Sequence, residues 1–270
     1  NDQVRFDSAL LSLKPDIKII CPIKALNITR DEEIEYLKEK GIEVPSSSKK
    51  YSINENVFGI TVSGSEIDKN LEPSKEAYTL TKQKNIGQEY ITIEFDQGLP
   101  IKLNSQPKDG LEILKELNKL IGAYGFGAKI YTGDCIIGIK GHIMFEAPGL
   151  LALIKAHQKL EQITLTKKQL AFNSLASQTW SDLVYSALYY EPLTKDLEEY
   201  ADSVQEKVTG KVKIKLIPNN IEIVELQSNN SLIKDKIATY AQKANWNAEQ
   251  ADGFIKLYTL QEVIANAASK

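Results

Sequence analysis

Three stretches of this chain read as strands that double back within a few residues, and two of them alternate apolar and polar residues at a period of two. Ile91, Ile93 and Phe95 alternate with Thr92, Glu94 and Asp96, Gly98 makes a turn, and Leu99, Ile101 and Leu103 return. A period of two puts the apolar side chains on one face of a strand, so the pair reads as a half-buried hairpin. Residues 130–139 and 143–145 read as a second hairpin. Val212, Ile214 and Leu216, then Asn219-Asn220, then Ile221 and Ile223 read as a third. Elsewhere the spacing lengthens to that of a helix. Residues 111–121 place Leu114, Leu117 and Ile121 on one face, and 149–160, 167–190, 194–199 and 260–268 also read as helices. Hairpins segregated from helices predict an α+β body.

The first forty residues have another rhythm. Phe6, Ala9, Leu10 and Leu13 recur at helical spacing until Pro15, and Ile17, Ile19 and Ile20 fit a short buried strand stopped at Pro22. Thr29 followed by Glu32 is a capping box, with Asp31 and Glu33 placed at the positive end of the same helix; Gly41 is placed to cap its other end. Helix, strand, helix is the expected tail of an α/β domain whose earlier strands would lie upstream of Asn1. Pro45 and the run Ser46–Lys50 mark a boundary, and residues 51–74, rich in Gly and Asn, read as a functional loop with short strands.

The totals narrow the function classes. With 33 Lys and Arg against 36 Asp and Glu, the net charge is -3, which gives no long-range attraction to nucleic acid or an acidic membrane. The best membrane candidate, residues 135–154, is broken by Lys140, His142 and Glu146. Cys21 and Cys135 are read as reduced, packed as small hydrophobes, in an intracellular protein. Two His and two Cys match no zinc spacing, so no metal site is expected. His142, expected in a turn, and His157, on a helix, read as packing or surface residues. Gly122, Gly125 and Gly127 follow a helix where a dinucleotide loop needs a strand, and read as a helix stop. Trp180 with Tyr185, Tyr189 and Tyr190 reads as a core or subunit contact before a ligand wall.

Asn1, Asp2 and Arg5 offer more chemistry. An amide and a carboxylate just ahead of a helix can grip a small zwitterion, the carboxylate taking an ammonium and the amide with the helix end taking a carboxylate. Arg5, one turn on, can present a bidentate fork to a second carboxylate. Plain helix capping with a surface Arg explains the same residues equally well.

Longer stretches add to that. Asn1-Asp2-Gln3-Val4-Arg5-Phe6, Thr29 to Tyr36, Tyr51 to Asn56, Glu146-Ala147-Pro148-Gly149, Gln205 to Gly210 and Ala251 to Leu257 resemble the argininosuccinate synthase family, in family order along essentially the whole chain. The resemblance implies a cytoplasmic two-step ligase of arginine biosynthesis. The ureido oxygen of citrulline would attack the α-phosphorus of ATP (with Mg2+), releasing pyrophosphate, and the aspartate amine would then displace AMP. It implies a remnant of the nucleotide-binding domain over residues 1–43, a synthetase domain over 44–236 and an oligomerisation arm over 237–270, in a homotetramer. ATP would be held mainly by a part upstream of Asn1, so the chain alone is expected to be inactive. On the family pattern Asn1 and Asp2 would hold aspartate, and Asn1, Arg5, Ser52 and Thr61 would line the citrulline side. No residue is singled out as a catalyst.

The departures from the pattern fall in one place. The family's citrulline-binding Glu falls on Gly133 and its Tyr on Phe145; the Arg before Thr61 is Ile60, and Lys140-Gly141-His142 replaces Lys-Ser-Arg. Losing an acid and a hydroxyl removes the partners of an α-ammonium, and an unpaired buried ammonium costs several kcal/mol. Three accounts stand: an ordinary synthase with a rearranged pocket; a synthase for an N-acylated citrulline, with Gly133 making room for the acyl group; and a non-catalytic assembly or amino-acid-binding module.

Overall fold

The computed structural model describes residues 2–44, 50–84, 87–234 and 245–269. Contacts divide the chain into two units, residues 1–230 and residues 231–270. The first unit opens with three helices, α1 (Asp2–Leu13), α2 (Pro22–Leu26) and α3 (Arg30–Glu39). A hairpin follows, β1 (Ser52–Asn56) and β2 (Gly59–Ser63), then β3 (Glu89–Asp96), β4 (Leu99–Leu103) and the two-residue β5 (Gln106–Pro107). After α4 (Gly110–Gly122) come β6 (Ala128–Asp134) and β7 (Lys140–Glu146). Three helices, α5 (Pro148–Thr164), α6 (Lys167–Tyr185) and α7 (Pro192–Gln205), lead to the last hairpin, β8 (Gly210–Ile217) and β9 (Asn220–Gln227). The second unit holds α8 (Ala248–Tyr258) and α9 (Leu260–Ala268).

Two sheets form, β1-β2-β7-β6 and β5-β4-β3-β8-β9, and the strand pairings are antiparallel throughout. Mixed helix and antiparallel sheet is the α+β arrangement expected from the patterning. The main core lies on the five-stranded sheet. Ile91, Ile93 and Phe95 of β3 and Val212, Ile214 and Leu216 of β8 join Ile113, Leu117 and Ile121 of α4 in one buried cluster. Ala152 and Ala156 of α5 belong to it too. Their short side chains let α5 lie close to α4, the helix pair with the most extensive contact in the chain. Asp109 caps α4 by accepting from Glu112 N–H.

Local signals in the first forty residues hold for the helices. The Thr29–Glu32 capping box is present in both directions. Gly41 adopts φ +76°, its N–H donates to Lys38 and that of Ile42 to Leu37, which is the Schellman stop. The strand expected at Ile17–Ile20 is a correction: residues 17–20 take no regular structure, and Ile20 is 86% exposed. A strand exists only through ladder hydrogen bonds to a neighbour, and no described strand runs beside this one. The long helix expected to Tyr190 ends at Tyr185 instead, where Ala187 turns to φ +68°. Helix α8, with its Asn247–Gln250 capping box, was not expected from the patterning. Neither α8 nor α9 buries a residue within the described chain.

No described helix is long and apolar enough to cross a membrane. Both cysteines are free thiols, half-exposed rather than packed in the core.

Candidate functional site

The four-stranded sheet has two unlike faces, and strand register assigns each side chain to one of them. Ile60 and Val62 of β2 and Met144 of β7 point to the covered face, where they pack with Tyr51, Ile67 and Ala77. The alternate positions point the other way. Thr61 stands opposite Asn54 on one side and Phe145 on the other, and Phe145 in turn stands opposite Lys129. Tyr131 pairs with Ile143 and Gly133 with Gly141, while Ser52 pairs with Ser63. Because neighbours in register share a face, this second face gathers Ser52, Thr61, Phe145 and Gly133, positions that lie far apart in sequence. Ser52 and Thr61 are exposed, and Phe145 and Gly133 are half-buried.

The covered face is anchored by a carboxylate. Glu146 is fully buried and accepts five hydrogen bonds, from Thr79 N–H (2.7 Å) and Oγ1–H (2.9 Å), Leu80 N–H (3.2 Å), and Thr81 N–H and Oγ1–H. Burial pushes its carboxyl up, and the donors from Thr81, Thr79 and Leu80 more than offset this, leaving it below the usual carboxylate range. Residues 79–81 are thereby fastened beneath β7. Beside Ser52, Tyr51 donates its hydroxyl to Glu66 Oε1 (2.6 Å), and Ser74 N–H donates to the same oxygen (2.8 Å). Hydrogen bonds from Ser65, Tyr51 and Ser74 hold the Glu66 carboxyl far below its ordinary range.

The start of α1 is tied to the far end of this sheet. Arg5 Nη1 lies 2.9 Å from Asp2 Oδ1, Arg5 Nε donates to the Tyr185 carbonyl (3.3 Å), and the guanidinium sits 5.0 Å over the Tyr185 ring. Tyr185 donates its own hydroxyl to the Asp134 carbonyl (2.7 Å), next to Gly133. Asp2 and Arg5, expected to face two different ligands, thus meet each other and connect through Tyr185 to the β6 end. No described hydrogen bond or ion pair joins either of them to Ser52 or Thr61. Asn1 lies outside the described residues.

Other candidates resolve into packing. His142 is a correction: it lies within β7, not in a turn, with Nδ1 2.7 Å from Thr132 Oγ1 across the strand pair. His157 Nε2 hydrogen-bonds Gln205 Oε1 (2.7 Å), and its ring lies 5.9 Å from that of Phe95. Tyr189 and Tyr190 meet edge to face, and Trp180 donates to Glu198. Gly125 (φ +79°) closes α4 as a helix stop. Sequence reasoning passed over Tyr131, although it stands two residues before Gly133 and a period of two places it on the same face. Among the described residues no three His, Cys, Asp or Glu side chains gather where a metal ion could sit.

Comparison with known proteins agrees along the chain. Residues 1–43 match the model of the arginosuccinate synthase N-terminal HUP domain, and residues 51–265 that of the arginosuccinate synthase C-terminal domain. The chain is 41% identical over 266 residues to the argininosuccinate synthase of Dictyoglomus turgidum, covering 98% of this chain and 67% of that protein. The Methanocaldococcus jannaschii argininosuccinate synthase is 37% identical over 273 residues, covering 100% of this chain and 69% of its own length. That of Pyrococcus furiosus is 40% identical over 269 residues, covering 98% and 65%. The chain spans about two thirds of the length of these relatives.

Proposed function

The chain belongs to the argininosuccinate synthase family, and from that premise we propose that it forms the amino-acid side of an ATP-dependent ligase joining a citrulline-type acceptor to aspartate. The observation that carries this is the shared face: strand register alone brings Ser52, Thr61, Phe145 and Gly133 onto one open surface. The β6 end of that surface is tied through Tyr185 to Asp2 and Arg5.

Such a reaction needs little from the protein except placement and charge. The acceptor's ureido oxygen must meet the α-phosphorus of ATP in line, and the aspartate amine must then reach the activated carbon as AMP leaves. The Asp2 carboxylate suits the aspartate ammonium, and Arg5 suits a carboxylate once it parts from Asp2. Both are side chains at the surface, 81% and 34% exposed, so their separation costs about 1 kcal/mol or less. The Ser52 and Thr61 hydroxyls suit the polar groups of the acceptor. ATP enters as a substrate and supplies the leaving group. The exposed apolar residues of α8 and α9, among them Phe254, Leu257 and Ile264, suit a contact between copies in a homotetramer.

Pyrophosphate release tests the reading. The polypeptide expressed from its complete reading frame should release pyrophosphate from ATP only when citrulline or an N-acylated citrulline is supplied, and should turn over repeatedly only when aspartate is present as well. No release with any of these acceptors would instead favour a non-catalytic amino-acid-binding or assembly module, the reading that Gly133 and Phe145 support.

A further inference from the structure

The open face of the four-stranded sheet carries no acid. Its outward positions are Ser52, Asn54 and Asn56 on β1, Gly59, Thr61 and Ser63 on β2, Gly141, Ile143 and Phe145 on β7, and Lys129, Tyr131 and Gly133 on β6. The nearby carboxylates are turned away or engaged. Glu55 and Glu146 fall on the opposite face by register, Asp134 pairs with Lys140 (2.7 Å), and Asp2 pairs with Arg5. The one charged side chain at those outward positions is the cation Lys129.

Position 133 is not open space. A side chain there would run into Tyr131: a Cβ placed on Gly133 meets the phenol's Oη and Cζ and lies 2.7 Å from its Cε1. Gly133 does not occupy the left-handed region. The Tyr131 ring therefore occupies the space a side chain at position 133 would take, and it fills the room that an acyl group at Gly133 was expected to use. Tyr131 leans along the strand over Gly133, is 49% exposed, and its hydroxyl has no hydrogen-bond partner among the described residues. A free phenol hydroxyl is a neutral donor. It can give a hydrogen bond to a carbonyl, but it cannot balance an ammonium.

We propose that Tyr131, seated over Gly133, sets acceptor choice, donating its hydroxyl to the acyl carbonyl of an acceptor whose α-nitrogen is acylated. This deepens the ligase reading above and rests on it. A free α-amino acid would bring an ammonium to a face with no acid to meet it. An N-acyl acceptor brings a neutral amide, and an acyl chain ending in a carboxylate would also find Lys129.

The test uses the polypeptide from its complete reading frame, with ATP and aspartate saturating and either free citrulline or N-acetylcitrulline as acceptor. Wild type should favour N-acetylcitrulline in kcat/KM by tenfold or more. Tyr131→Phe keeps the ring and removes the donor, and should raise KM for N-acetylcitrulline roughly three- to tenfold, the range for one neutral hydrogen bond. KM for aspartate and the kinetics on free citrulline should stay unchanged. Gly133→Ala displaces the phenol and should shift the same ratio in the same direction; a half-exposed side-chain tip yields without loss of the fold. A preference for free citrulline, or an acceptor ratio unmoved by Tyr131→Phe, overturns the proposal while leaving the ligase reading intact. No pyrophosphate release with either acceptor overturns both.

Discussion

In the five-stranded sheet the inward positions of β3 and β8 are sealed: Ile91, Ile93, Val212, Ile214 and Leu216 are at most 1% exposed and join α4 and α5 in the largest buried cluster of the chain. In the four-stranded sheet, β2 and β7 bury only Ile60, Val62, Met144 and Glu146 on the covered face, and the other face carries hydroxyls, amides, a phenol and a lysine. The same antiparallel architecture therefore serves two ends. One sheet is a wall of a core, and its side chains are specified by volume. The other uses its ladder to hold polar groups at fixed spacing on an open surface, and borrows rigidity from a buried carboxylate beneath. Loss of a core atom should be felt in stability, and loss of an open-face atom in substrate handling.

The largest effect should come from the sealed side. Leu117→Ala, at a fully buried α4 position, should destabilise the fold by about 3–5 kcal/mol, the cost of lost burial plus the cavity left. Urea unfolding followed by circular dichroism would measure it. A loss below about 1 kcal/mol would mean that this core collapses around the gap, and the contrast between the sheets would weaken.

Next comes Glu146. Replacing it with Ala removes the acceptor of five donors, those of Thr81 buried, and should cost roughly 3 kcal/mol, about as much as a core truncation although no apolar cluster is touched. The folded-state carboxyl is depressed. Its contribution is therefore fully present above the unfolded carboxylate range and is lost as pH falls through the lower folded value. Wild type should lose stability below about pH 4.5, and the Glu146→Ala protein should show a shallower acid limb. Equal acid limbs would show that other carboxylates govern the loss.

Tyr185 ranks lower, because its hydroxyl reaches the β6 end through an exposed hydrogen bond. Tyr185→Phe should cost about 1 kcal/mol or less. Proteolysis within residues 2–13, compared with wild type, would report whether the hydroxyl also steadies α1. Unchanged cleavage would leave Arg5's stacking on the ring and its hydrogen bond to the Tyr185 carbonyl as the tie.

Period-two alternation made the β3–β4 and β8–β9 hairpins legible, and the Thr29–Glu32 box and Gly41 made α3 legible, because each is a local signal with a local cause; the β6–β7 hairpin, which lacks that alternation, was expected to turn at residues 140–142 and turns at 135–139 instead. The strand expected at residues 17–20 failed for the opposite reason: an apolar run becomes a strand only beside another strand, and pairing is not local. The β1–β2 hairpin was legible only as short strands, since Ser52-Ile53-Asn54-Glu55-Asn56 is exposed throughout and lacks an apolar alternation. For the site, Ser52, Thr61, Gly133 and Phe145 came from family resemblance, and the shared face came from register. Tyr131's seat over Gly133 depends on a rotamer, which no spacing rule reaches.

The smallest effect on stability should come from the open face, and it is the sharpest test of the contrast. Thr61 is exposed, stands between Asn54 and Phe145, and makes no described side-chain hydrogen bond. Thr61→Val keeps the β-branched shape that suits a strand and removes only the hydroxyl. Stability should change by less than about 0.5 kcal/mol, as for other surface replacements. If the hydroxyl serves the acceptor, its loss should raise acceptor KM roughly three- to tenfold and leave KM for aspartate alone. Ser52→Ala, one strand away on the same face, should act in the same direction. A variant that melts early yet handles the acceptor normally would show that the open face is built for packing after all, and the division of labour between the two sheets would fail.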